Sequence, residues 1–125
     1  MQSLVVNKEN LKSVNWDEDC FKYCEFVGIE PEGGHVTADF TDCTFQGIDW
    51  YWGLFNVVNF VGCKFINCTF RGTSFSDCKF VECDLLNCHF IKDNLDGECS
   101  FEGTRVYNCN VSNTEGFCIG GEQHT

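Results

Sequence analysis

The chain is short of positive charge. Eight Lys and Arg stand against nineteen Asp and Glu, a formal net charge of −11. Affinity for nucleic acid comes mainly from Lys and Arg on phosphates, so direct nucleic-acid binding is not expected. The opposite role stays open, in which an acidic protein resembles nucleic acid to a basic partner. Long apolar runs are missing too. None approaches the roughly 20 residues of a membrane helix, and no membrane partner is expected. Met1 to Leu11 has neither a positive n-region nor a long h-region, so it does not read as a secretory signal, and a cytoplasmic location is expected. There is a single Pro and no CxxC pair. What is present is a 43% hydrophobic composition over 125 residues. That is enough for a core and for one domain, 1–125.

Eleven Cys are also present, an odd number. Their spacings of 5, 10 and 20 belong to a wider pattern. From residue 40 every fifth position is large and apolar: Phe40, Phe45, Trp50, Phe55, Phe60, Phe65, Phe70, Phe75, Phe80, Leu85, Phe90 and Leu95. The series then slips by one residue to Phe101, Val106 and Val111. A weaker run, Leu11, Trp16, Phe21 and Phe26, precedes it in another register. Two residues before each large one sits a small or medium residue, often Cys. A period of five fits neither a helix nor a plain strand. It fits a solenoid in which each pentad makes one short side and turns a corner, with four sides to a coil.

These residues resemble the pentapeptide-repeat family and its A-(D/N)-L-x-x signature. Ala38-Asp39-Phe40 matches well, and Val58-Asn59-Phe60 and Asp93-Asn94-Leu95 match in part. The resemblance implies an all-β fold, a right-handed quadrilateral β-helix, here of about five coils. The chain departs from the family in using Cys where Ala is usual and Phe more than Leu.

Stacked coils put residues 20 apart in one column. The spacing predicts Phe40, Phe60, Phe80 and Phe101 on face one. It predicts Phe45, Phe65, Leu85 and Val106 on face two, Trp50, Phe70, Phe90 and Val111 on face three, and Phe55, Phe75 and Leu95 on face four. Residues 1–26 read as an N-terminal coil and 38–115 as regular coils. Residues 27–37, with the Pro and a Gly pair, read as a loop. A one-residue bulge is expected at 96–98, and 116–125 reads as a frayed tail.

Nine Cys, all but Cys20 and Cys118, fall at inward positions and are expected to be free, buried filler. Parallel thiols do not converge on a tetrahedral centre, so no metal and no other cofactor is expected. His35, His89 and His124 are spread out, and no catalytic constellation is expected. Asp93, the one acid at an inward position, reads as a cap to the bulge.

On the wheel, faces one and four with Glu98 carry −8, and faces two and three carry +2. Asp39, Asp42, Asp77, Glu82, Asp96 and Glu102 are candidate partner-binding residues on the acidic side. A second candidate surface is a ladder of exposed apolar residues: Tyr51, Trp52, Val61, Ile66, Val81, Leu86, Ile91 and Tyr107. Such patches mark interfaces, and Tyr and Trp anchor them. The expectation is a non-catalytic protein-binding module whose partner has a basic surface. An inhibitor or immunity-type protein that neutralises a protein such as a nuclease toxin is the first reading. The resemblance supplies a second, because some pentapeptide-repeat proteins protect DNA gyrase from quinolones as DNA mimics. A passive scaffold is a third. A monomer or weak dimer is expected.

Overall fold

The computed structural model describes residues 2–17 and 20–117. Among them the regular elements are short parallel strands, with one 3-10 turn at Leu11–Ser13. Each strand centres on an inward Phe or its equivalent and ends at a corner. The residue two beyond the inward one carries the corner in the left-handed region: Tyr23, Asp42, Gly62, Glu82 and Asn108 at one corner, Gly28, Gly47, Asn67, Asn87 and Asn113 at the next. Gly, Asn and Asp visit that region at low cost, which is why they recur there.

Four ladders result, so the solenoid is a four-sided β-helix of about four turns. Face one stacks Cys20–Lys22, Asp39–Thr41, Asn59–Val61, Lys79–Val81 and Arg105–Tyr107. Face two stacks Val5–Val6, Glu25–Val27, Thr44–Gln46, Lys64–Ile66, Asp84–Leu86 and Asn110–Ser112. Face three has Asp49–Tyr51, Thr69–Arg71 and His89–Ile91. Face four has His35–Val36, Leu54–Asn56 and Ser74–Ser76.

The inward rings make the core. Along a column they lie parallel: Phe60 on Phe80 with centroids 4.8 Å apart, and Phe45 on Phe65 at 4.8 Å. Across a corner they meet edge to face, as Phe60 and Phe65 do at 5.4 Å and 70°. Offset stacks and edge contacts are the arrangements an aromatic quadrupole favours. Trp16 closes the lower end, 5.1 Å from Trp50 and 5.6 Å from Phe26. Phe117 closes the upper end against Phe80, Phe90 and Phe101.

Three expectations about register need correction. First, residues 27–37 are not a loop. Ile29, Pro31 and Val36 are buried, and Val36 pairs with Phe55. Backbone bonds from Asp49 to Ile29 and from Tyr51 to Pro31 continue the ladder of face three downward. The segment keeps the lower register of Phe21 and Phe26, with a step of 19 residues rather than 20 to the coil above. Its Pro sits at the bottom edge of a ladder, where no donor is missed.

Second, the break after Ile91 is an insertion of six residues, not one. Lys79 pairs with Arg105 and Asp84 with Asn110, a step of 26. Phe101 therefore stacks on Phe75 of face four, at 5.3 Å and 3°. Val106 lies on Phe80 of face one and Val111 on Leu85 of face two. Each stands one face earlier than the spacing predicts, and Leu95 is 80% exposed in the inserted loop. Third, the expected tail begins in the core, because Phe117 is buried. Residues 118–125 lie outside the described residues.

Candidate functional site

Corner columns place the acids. Asp42 and Glu82 share the corner between faces one and two, and Asp77 sits at the corner between four and one. Glycines make room for them. The Asp42 carboxylate fills the space a side chain at Gly62 would need, and Asp77 does the same at Gly103. Glu102 is exposed beside Gly103. Among the described residues these four make no ion pair. The other two candidates are already engaged. Asp39 accepts from the Asn59 backbone N–H at 3.0 Å and from its side-chain amide at 3.3 Å. Asp96 pairs with Lys92 at 3.3 Å.

The apolar candidates divide among faces. Val61, Val81 and Tyr107 form one column on face one, above Thr41. Tyr107 is thus corrected from face two to face one. Ile66 and Leu86 stack on face two. Tyr51 and Ile91 lie on face three with Arg71 between them. Trp52 stands at the corner between faces three and four. Face one thus joins parts of both candidate sets: an apolar column in the middle and carboxylates at both corners. That is the layout of a protein interface, with an apolar centre and a polar rim.

Charge is less one-sided than the wheel predicts. The corrected register brings Arg105 onto face one beside Lys79. The pentads of face one above residue 37 now hold three acids, Asp39, Asp42 and Glu82, against these two bases. Asp93, Asp96 and Glu98 go to the inserted loop, and Glu115 goes to face three, where it pairs with His89.

Face three carries a cluster the pattern does not foretell. Arg71 binds Asp49 through two nitrogens, at 3.0 and 3.4 Å, and lies 5.3 Å from the Tyr51 ring. Tyr51 meets Trp52 edge to face at 5.2 Å. The Trp52 indole donates to Asp93 at 2.7 Å. Asp93 also accepts from the N–H groups of Leu95 and Gly97, both at 2.8 Å. Its bonds to Gly97, Leu95 and Trp52 hold its carboxyl below the usual range. Asp93 is the cap it is expected to be, and it ties the inserted loop to Trp52.

Sequence reasoning misses Leu54 and Val57, both exposed on face four or its corner. Val57 is β-branched yet has φ 55, where such residues are strained. The available signal is its place in the pentad, since most other corner positions hold Gly, Asn or an acid.

Cys43, Cys63, Cys68, Cys78, Cys83, Cys88, Cys99 and Cys109 are free thiols. Cys24, Cys43, Cys63, Cys83 and Cys109 form one column beside face two. From Cys43 onward each inward thiol donates to a carbonyl of the coil below, Cys68 to Phe45 at 3.1 Å and Cys83 to Phe60 at 3.2 Å. Thr104 makes the same bond to Phe75 at 2.7 Å. Cys is therefore more than filler, because it gives the column a donor that Ala lacks. Burial pushes the Cys78 thiol up to about 11.

The geometry defines a β-helical solenoid. Residues 58–92 match the family described as Pentapeptide repeats (8 copies). The chain carries pentapeptide repeats of that family over these residues. No curated protein matches it. Among solved structures it is similar to QnrB1, a plasmid-mediated fluoroquinolone resistance protein. The two are 13% identical with a TM-score of 0.52, over 90% of this chain and 53% of that one. The chain thus spans about half the length of that structure. No helix among the described residues is long and apolar enough to cross a membrane.

Proposed function

We propose that the protein is a non-catalytic binding post that protects a type II topoisomerase, with face one and its acidic corners set against a basic groove. The observation that carries this reading is the pair of carboxylate columns, Asp42 with Glu82 and Asp77 with Glu102, on either side of Val61, Val81 and Tyr107. The fold likeness to a fluoroquinolone resistance protein supports it over inhibition of a toxin. The mimic is short. Coils rise about 4.8 Å each, so the rod offers less than the roughly 34 Å of one DNA turn. The setting is cytoplasmic, and thiols left free fit a reducing compartment.

The test is a gyrase supercoiling assay with a fluoroquinolone present. The protein restores supercoiling at micromolar concentration, and Asp42→Lys with Glu82→Lys removes the effect. Absence of both protection and binding at low salt overturns the reading. The pre-organised Tyr51–Arg71–Trp52 cluster on face three favours one further use, an inhibitor that docks a small basic protein through that face. Capture of such a protein, lost with Tyr51→Ala and insensitive to the double Lys variant, would decide for it.

A further inference from the structure

Cys24, Cys43, Cys63, Cys83 and Cys109 stand one per coil in a straight column, and Cys68 and Cys88 start a second. All seven are buried, and Cys43, Cys63, Cys68, Cys83, Cys88 and Cys109 are free thiols. The backbone ladders set these cysteines on successive coils: the N–H groups of Lys64, Asp84, Asn110 and His89 donate to the carbonyls of Cys43, Cys63, Cys83 and Cys68, each at 2.9 Å. No three His, Cys, Asp or Glu among the described residues converge on a point that would hold a metal. Among the described residues, ions that need four ligands have no site. Two collinear sulfurs are a different case.

Stacked coils are spaced by about 4.8 Å. A metal–thiolate bond is about 2.3 Å, so a linear S–M–S unit spans about 4.6 Å. The repeat and the span agree within the give of a side chain. Inward side chains stand perpendicular to the sheet. A metal midway between two such sulfurs therefore lies along the solenoid axis, at roughly a right angle to each Cβ–Sγ bond, which suits a coordinated thiolate. Soft thiolates select soft cations.

We propose that the cysteine columns are binding sites for soft, two-coordinate divalent cations of the Hg(II) type, each held between thiols of adjacent coils. Each ion forms two S–Hg bonds and releases both thiol protons, so the filled site is neutral. Neutrality decides the selectivity. A monovalent ion between two thiolates would leave a net negative charge in an apolar core, at a large cost. Zn(II) would be left two ligands short. Cys43, Cys63, Cys83 and Cys109 take two ions, and Cys68 with Cys88 takes one, about three in all. Entry is through the ends, where solenoid coils open most readily.

The test is a titration of the reduced, folded protein with HgCl2, read by ultraviolet charge-transfer absorption, thermal unfolding and X-ray absorption at the mercury edge. The expected result is about three equivalents, two sulfurs per mercury and a raised Tm, since binding to the folded state stabilises it. Cys83→Ala with Cys88→Ala folds, because Ala38 already fills such a position, and it loses about two of the three ions. Zn(II) and Ag(I) leave Tm unchanged. A fall in Tm on adding HgCl2 would show capture by unfolded chains and overturn the proposal. So would three or more sulfurs per mercury, or an unchanged stoichiometry in the double variant. None of these outcomes depends on what the outer faces bind.

Discussion

At the scale of the residue, the core leaves little room for change. A Cβ on Gly53 would lie 2.5 Å from Trp50 Nε1 and 2.8 Å from its Cδ1. Trp50 is buried and bonded through that nitrogen to the Gly33 carbonyl at 3.3 Å. Gly53→Ala should therefore destabilise by about 1–3 kcal/mol through overpacking, measured by urea unfolding. The thiols impose a pH dependence. Cys78 titrates near 11 when folded and near 8.5 when unfolded. The folded state keeps a proton that the unfolded state gives up. Its stability contribution is whole below about pH 8.5 and is lost as pH rises toward 11. The fall in Tm between pH 7 and 10.5 should be shallower in Cys78→Ala. An equal slope in both proteins would show that this thiol does not matter to stability.

At the scale of the element, one strand and one corner make the whole vocabulary. Val57 is the unit that breaks the rule. Holding a side chain in the left-handed region costs about 1–2 kcal/mol, and Val57 is exposed, so packing returns little. Val57→Asn should raise stability by about 1 kcal/mol, and calorimetry would detect it. If affinity for the partner falls at the same time, the strained residue belongs to the interface. The inward and outward alternation inside each pentad is legible in the sequence, down to the cysteines. The faces are not. All four sides carry the same pattern, so periodicity says whether a residue points in and is silent on where. An insertion of six residues equals one whole side plus one residue, and a period of five registers only the one. Leu95 keeps the beat by coincidence and sits in solvent. Phe101, six residues later, takes the place on Phe75. Pro31 and the pair Gly33 and Gly34 read as a loop because turn chemistry is what every corner of this fold uses.

At the scale of the molecule, the candidate surface inherits that ambiguity. The acids are visible in the sequence, yet Arg105 and Tyr107 join face one only once the insertion is counted correctly. The Tyr51–Arg71–Asp49 and Trp52–Asp93 contacts join residues up to 41 apart, and no short-range signal carries them. The insertion itself can be tested. Removing residues 92–97 leaves Phe90-Ile91-Glu98-Cys99-Ser100-Phe101, a restored pentad. The shortened chain should fold with Phe101 still on Phe75 and with near-unchanged circular dichroism. A chain that loses its cooperative transition would show that the Asp93 cap is required for folding. Trp52 fluorescence should shift to the red in either case, since its Asp93 partner is gone.

The four-sided section also governs how such a rod can change over generations. Twenty residues gained or lost lengthen or shorten it while every face keeps its chemistry. Five residues do something else, because all that lies above the change swings through a quarter turn. The upper half then shows the world a different side from the lower. In this chain the extra side between Ile91 and Cys99 has been thrown outward as a loop rather than wound in. Tyr107 thereby stays in line with Val81 and Val61 of the coils beneath it.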